Sequence, residues 1–309
     1  MVAHPNVGVT QLLGQDRGST HGLARSRGSG LGQMDSGGHG AGHDPTVVIF
    51  DINVEKMYGA LVHEIHAQIE TGEGSMGTYI VRPEGDGPFP LVVFLMDAPG
   101  KRPLLHFMAG RIASWGFQVM LPNLYYRTTP AFELDFASRE SFERMRELMS
   151  GIGNAMVGRD VGALLRHAEA DERVDAKNVG VVGYCMSGPF AIWNAAEHAD
   201  RVKAAASFYG VRLHVEKKDS PHLRLADVRG EIYVAAAEHD DYVPLDMVDR
   251  FEAAMQQTDV RGRVERYWGQ HHGFAFSDRP QHDERSEQRH WNVLADLFGR
   301  NLLGRHIDP

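Results

Sequence analysis

One cysteine in 309 residues is the sharpest scarcity in the chain. It rules out an internal disulfide framework and any zinc or iron–sulfur site built on clustered thiolates, so Cys185 is either a buried hydrophobe or a reactive thiol. Long apolar runs are missing as well: no stretch reaches the roughly 18 to 20 consecutive apolar residues that a bilayer span needs. Positive charge is in deficit, with 32 Lys and Arg against 41 Asp and Glu for a formal net charge of −9, which argues against the clustered basic face that nucleic acids and anionic membranes select. Met1 to Leu13 carry no basic stretch followed by an apolar one, the mark of a secretory signal. The expectation is a soluble cytoplasmic protein with neither nucleic-acid nor membrane partners. What the chain does have is 42% hydrophobic and 24% charged residues, enough apolar side chain for one large core and too little charge for a wholly disordered polymer.

Residues 1–44 are rich in Gly, Ser and His, ending near the run Ser36-Gly37-Gly38-His39-Gly40-Ala41-Gly42-His43, and carry no sustained apolar period. They are expected to form a disordered extension, and His39 and His43 lack the carboxylate or thiolate partners of a metal site. Residues 45–309 are expected to form a single domain. Its first elements read as a hairpin, Val62 to Ile69 and Gly77 to Val81, joined at Thr71-Gly72-Glu73-Gly74. Unbroken apolar runs then alternate with amphipathic stretches: strands at Leu91–Met96, Phe117–Leu121, Val179–Gly183, Val202–Tyr209, Ile232–Ala236 and near Val264–Tyr267. Helices fall at Leu104–Trp115, around Val157–Ala168, and at Met186–Glu197, Leu245–Met255 and Ser286–Phe298. Strands that are apolar on both faces are those of a parallel sheet covered by helices, so the fold class is α/β, a doubly wound and mostly parallel sheet with helices on both faces. Ala131 to Ser150, with alternating charge and two apolar clusters, suits a peripheral helix or lid near the carboxyl ends of the strands.

The most specific local signal is Val181-Val182-Gly183-Tyr184-Cys185-Met186-Ser187-Gly188, an apolar strand meeting a helix through a turn that bears the lone cysteine. A nucleophile elbow demands small residues two before and two after the nucleophile, and Gly183 and Ser187 satisfy it. The sulfur would then face the N-terminus of the following helix, where the Met186 N–H is one donor for an oxyanion. The competing reading is a structural core cysteine. A nucleophile of this kind needs a base and an orienting acid on the ends of later strands. Glu238-His239-Asp240-Asp241-Tyr242-Val243-Pro244 offers Asp240, with Asp241 and Glu238 as local competitors. Gly269-Gln270-His271-His272-Gly273-Phe274 offers His272 ahead of His271 as base.

From about Ile65 to Leu302 the sequence resembles the dienelactone hydrolase family of α/β-hydrolases. The resemblance is carried by Gly183-Tyr184-Cys185-Met186-Ser187-Gly188, Asp240-Asp241-Tyr242-Val243-Pro244 and His271-His272-Gly273-Phe274-Ala275, in that order. It implies an α/β-hydrolase fold and an ester or lactone hydrolase of the carboxymethylenebutenolidase kind. It further implies a triad of Cys185, Asp240 and His272 acting through a thioester, with the Ala98 N–H joining that of Met186 in the oxyanion hole. Asp97 stands where the family has a glutamate that helps to activate the cysteine. Arg127, in Leu124-Tyr125-Tyr126-Arg127, together with Tyr125 and Tyr184, is the implied substrate-binding set, and Arg127 could equally be a solvated charge or pair with Glu133 or Asp135. The family's second substrate arginine is replaced by Phe276, which weakens bidentate carboxylate binding and points to a substrate that is less acidic or larger than dienelactone.

The chemistry so implied needs no metal or organic cofactor, and its partner is a small-molecule ester or lactone, with a monomer or small homo-oligomer expected. Two rivals remain. A glutaminase-type amidotransferase also uses an elbow cysteine with a later His-x-Glu, here His282-Asp283-Glu284, although that histidine lies in a polar stretch before the last helix. A non-catalytic binding protein on the same scaffold would be expected to lack a triad member, and none is missing.

Overall fold

Unbroken apolar sequence builds the centre of the sheet. Leu91 to Leu95 are entirely buried, as are Ala204 to Ala206 and Val234 to Ala237 to within 1%, the pattern of strands covered on both faces. The structure, a computed structural model, describes residues 62–309. The extension expected over residues 1–44 therefore lies outside the described residues, as does the start of the domain expected from residue 45.

Eight strands form one sheet in the order β1-β2-β4-β3-β5-β6-β7-β8. β1 (Val62–Thr71) and β2 (Gly74–Pro83) make the antiparallel hairpin, and β2 runs antiparallel to β4 (Gln118–Pro122). From there β3 (Phe89–Leu95), β5 (Val174–Tyr184), β6 (Val202–Phe208), β7 (Glu231–His239) and β8 (Arg261–His271) are all parallel neighbours. The helices are α1 (Pro103–Ser114), α2 (Arg139–Ser150), α3 (Asn154–Glu169), α4 (Gly188–Glu197), α5 (Leu245–Gln256) and α6 (Glu284–Phe298). This is the doubly wound α/β-hydrolase architecture. α1 and α6 meet through Trp115 and Trp291, ring centroids 5.9 Å apart, while α3 packs on α4.

Local chemistry places the helix ends. Pro103 opens α1, where its missing N–H costs nothing. The Ser138 hydroxyl accepts from the Ser141 N–H at the start of α2, and the Asp283 carboxylate accepts from the Ser286 N–H (2.8 Å) at the start of α6.

Three expectations change in detail. β5 and β8 extend well beyond their apolar centres, because backbone pairing continues into residues whose side chains are polar: β8 is an edge strand with mostly exposed ends. The helix expected from Met186 starts as a 3₁₀ turn, Cys185–Ser187, and becomes α-helical at Gly188. Within the expected lid, only Arg139–Ser150 is helical.

Candidate active site

Parallel strands bring distant segments to one rim. Asp97 and Ala98 follow β3, Cys185 follows β5, Asp240 follows β7 and His272 follows β8, all at carboxyl ends of the strands. Cys185 stands at φ 53°, a left-handed conformation that a cysteine adopts only under constraint. A Cβ on Gly183 would lie 2.2 Å from the Ser187 carbonyl oxygen, so only glycine lets the chain double back here. Buried Ser187 completes the turn: its hydroxyl donates to the Leu95 carbonyl (2.9 Å) and accepts from the Tyr184 N–H (2.9 Å), tying the elbow to the end of β3. Beneath it Gly188 meets Gly210, where a Cβ on residue 188 would come within 2.3 Å of the Gly210 Cα. The Met186 N–H thus falls in a first helical turn, among donors that have no helical acceptor.

His272 and Asp240 are joined through Nδ1 and Oδ2 at 2.7 Å. The Asp240 side chain is wholly buried, and its Oδ1 accepts from the N–H groups of Tyr242 (2.9 Å) and Val243 (3.1 Å). Its competitors are elsewhere: Asp241 is exposed, and the Glu238 carboxylate accepts from the Gly269 N–H (2.6 Å). His271 is exposed with its ring 5.1 Å from that of His239. Burial disfavours a charge on His272, but the Asp240 hydrogen bond and the Cys185 sulfur outweigh it and raise the imidazole pKa to about 10. With Nδ1 engaged by Asp240, Nε2 is the atom turned toward Cys185; it is buried and has no hydrogen-bond partner.

Asp97 does line the cleft, but its carboxylate is already committed. It accepts from Arg102 Nη1 (2.5 Å) and Nη2 (3.3 Å) and from Arg279 Nη2 (2.8 Å). Asp278 closes the group, pairing with Arg102 Nε (2.5 Å) and Arg279 Nε (3.4 Å). Two arginines and two aspartates form a ring in which each cation touches both anions.

The three residues assigned to substrate are not on the cleft lining. Arg127 is bound by both oxygens of buried Asp160 (2.7 and 2.9 Å) and by Glu73, rather than by Glu133 or Asp135. Tyr125 is buried, and its hydroxyl donates to the Ala98 carbonyl (2.7 Å) and touches the Met186 sulfur (3.4 Å), bracing the two segments expected to hold an oxyanion. Tyr184 points into the core, where its hydroxyl pairs with His290 Nε2 at 2.7 Å. The alternative base His282 pairs with Glu287 (2.6 Å) and also lies off the lining.

Sequence reasoning missed Arg102, Asp278, Arg279 and Tyr209. Successive turns, Phe276 N–H to Gly273 O (3.0 Å) and Arg279 N–H to Phe276 O (3.0 Å), carry Arg279 back to the cleft three residues after the phenylalanine that replaces the family arginine. The available signal was that nearby arginine. Tyr209, at φ 40°, lays its ring 5.0 Å from that of His272. The cleft itself has a volume of about 590 Å³, in the range of small-molecule sites. Among the described residues no group of three or more His, Cys, Asp or Glu could hold a metal ion, and no helix is long and apolar enough to cross a membrane.

Known proteins are similar to this chain at low identity. A Synechocystis protein named "Putative carboxymethylenebutenolidase" is 26% identical over 227 residues, covering 72% of this chain and 91% of its own. A Bradyrhizobium protein named "Probable 2-oxo-3-(5-oxofuran-2-ylidene)propanoate lactonase" is 26% identical over 241 residues, covering 77% and 94%. Among solved structures, the "Putative Dienelactone Hydrolase" of Klebsiella pneumoniae superposes with a TM-score of 0.69 at 23% identity, covering 78% of this chain and 99% of its own. The profile of the dienelactone hydrolase family matches residues 76–302, well over half of the sequence, and the chain belongs to that family.

Proposed function

We propose that the protein is a carboxylic ester or lactone hydrolase that works by nucleophilic catalysis through Cys185, His272 and Asp240. The observation that carries this reading is an imidazole fixed at 2.7 Å by a wholly buried carboxylate, its other nitrogen left to a sulfur held at φ 53° on a helix-capping elbow. The names of the lactonase and carboxymethylenebutenolidase relatives support the same substrate class.

With its pKa raised to about 10, His272 holds a proton at neutral pH, and Asp240 on one side and the Cys185 sulfur on the other favour that charge. The sulfur attacks the carbonyl carbon, and the carbonyl oxygen becomes an oxyanion opposite the Met186 and Ala98 N–H groups. Each such donor is worth roughly 3 kcal/mol of barrier. Collapse of the tetrahedral adduct expels the alcohol oxygen, which takes the proton from His272 Nε2 and leaves a thioester on Cys185. Neutral His272 then draws a proton from water as the water oxygen attacks the thioester, and the acid departs as the thiolate and imidazolium are restored. Asp240 keeps the ring oriented throughout. Asp97, saturated by two arginines, serves as their counter-ion rather than as a second base. No step requires a metal or organic cofactor. In the same reading the protein acts in the cytoplasm on small molecules.

Replacing Cys185 by Ala is expected to abolish turnover of p-nitrophenyl acetate while the circular dichroism melt stays unchanged. Retention of most of the activity would remove Cys185 from the mechanism. Ammonia release from glutamine is expected to be absent, since His282 is held by Glu287.

A further inference from the structure

The roof of the cleft has a composition that the triad does not explain. Along α2, Phe142, Met145 and Met149 recur at i, i+3 and i+7, so they share one face. That face lines the catalytic cleft, and its side chains are only half-buried; Leu148 alone in this helix is fully buried. A surface helix ordinarily spends its apolar stripe on the core. Here Met145 and Met149 touch the core, yet the stripe also borders an open space of about 590 Å³, and Phe136, 48% exposed, extends it. Across the cleft, around Cys185, the wall is again apolar, with Val211, Tyr209 and Phe276. Methionine's flexible thioether suits it to ligands of varied shape.

The charges are arranged just as pointedly. Arg102 and Arg279 are closed into a neutral ring with Asp97 and Asp278, and their guanidinium faces are covered, Arg279 over Phe136 at 4.5 Å and Arg102 over Phe276 at 5.3 Å. A carboxylate on the substrate would have to compete with Asp97 for Arg279 at 2.8 Å, leaving that buried anion to Arg102 alone. The other carboxylate and guanidinium on the lining, Asp241 and Arg146, are exposed and opposite in sign, and the His272 imidazolium faces the Cys185 sulfur.

We propose that the substrate is an uncharged ester or lactone carrying an extended hydrocarbon arm, which lies under Phe142, Met145 and Met149 while the carbonyl sits at Cys185. This rests on the hydrolase reading above and narrows it. Each methylene fully withdrawn from water under the roof raises kcat/KM by up to about fourfold.

The test uses two neutral series on the purified full chain. One lengthens the acyl side (p-nitrophenyl acetate, butyrate and octanoate), the other the alcohol side (ethyl, butyl and octyl acetate followed by pH-stat). The anionic mono-p-nitrophenyl succinate is compared with the neutral butyrate. The expected result is a rise in kcat/KM of at least about tenfold along one series, which also tells which side carries the arm, and at least a tenfold preference for butyrate over the succinate monoester. In a Met145→Ser/Met149→Ser variant the octanoate-to-acetate ratio of kcat/KM should fall toward one. Flat kcat/KM along both series, preference for the anion, or an undiminished ratio in the double variant would each overturn the proposal. The underlying hydrolase reading fails separately, through absence of acetate hydrolysis or through its survival in Cys185→Ala.

Discussion

Asp240→Asn is the substitution that most directly tests the proposed triad. The side chain is wholly buried and accepts from His272 Nδ1 at 2.7 Å and from the Tyr242 and Val243 N–H groups at 2.9 and 3.1 Å. Asparagine keeps a carbonyl oxygen for the two backbone donors, so its amide NH₂ turns toward His272. Nδ1 must then accept, the ring proton moves to Nε2, and the neutral imidazole can no longer take a proton from thiol or water. The charge that helps raise the His272 pKa to about 10 is lost as well. General-base catalysis supplies roughly 10²- to 10⁴-fold, so kcat for p-nitrophenyl acetate should fall by about three decades, or about 4 kcal/mol of barrier, with KM little changed. One charge-assisted hydrogen bond becomes a neutral one, a cost of about 1 kcal/mol and a few degrees of melting temperature. Alkylation of Cys185 by iodoacetamide at pH 7 should slow in parallel. A folded variant with kcat within tenfold of wild type would refute the role of Asp240.

Gly183→Ala puts a methyl group 2.2 Å from the Ser187 carbonyl oxygen, a clash with backbone that no rotamer relieves, so soluble yield and melting temperature should drop sharply; an unchanged melt would mean that the elbow tolerates a side chain. Asp97→Asn leaves buried Arg102 and partly buried Arg279 with one full counter-ion and should cost on the order of 3 kcal/mol by urea denaturation at pH 7, whereas a loss under about 1 kcal/mol would show the ring to be dispensable. Acid should weaken the fold through two histidines. Burial lowers the pKa of His106 to about 4 and of His290 to about 3, so the unfolded chain gains up to two protons that the native state refuses between roughly pH 6.5 and 4. Their stability contribution is present above 6.5 and is lost as pH falls, at up to about 2.7 kcal/mol per pH unit for the two together. Urea midpoints between pH 7 and 4.5 measure it, and His106→Phe should flatten the slope; an equal slope in the variant would exclude that histidine.

Much of the site was legible in the chain because its requirements are local. An elbow is a matter of small side chains at fixed offsets, so Gly183 and Ser187 betray Cys185 without any knowledge of the fold. Continuous apolar runs likewise disclose parallel strands, since both faces of such a sheet are dry. Asp240 and His272 could be narrowed to short segments at strand ends, yet their competitors Asp241, Glu238 and His271 carry the same chemistry one or two residues away. A one-residue step along the chain there decides between a wholly buried carboxylate and an exposed one.

The substrate-facing surface was a different matter. Arg127 and Tyr125 sit in a motif that reads as substrate-binding, but Asp160 on α3 captures the arginine and the Ala98 carbonyl captures the tyrosine hydroxyl, partners 33 and 27 residues away in sequence. Arg279 reaches Asp97 across 182 residues only because a run of tight turns follows Gly273. Sequence by itself therefore determined the sheet, the elbow and the residue types proposed for the triad, because periodicity and steric offsets are properties of neighbouring residues. Which arginines are neutralised, which tyrosines face the cleft and where the apolar stripe of α2 points depend on contacts between segments far apart in the chain, and only packing in three dimensions decides those.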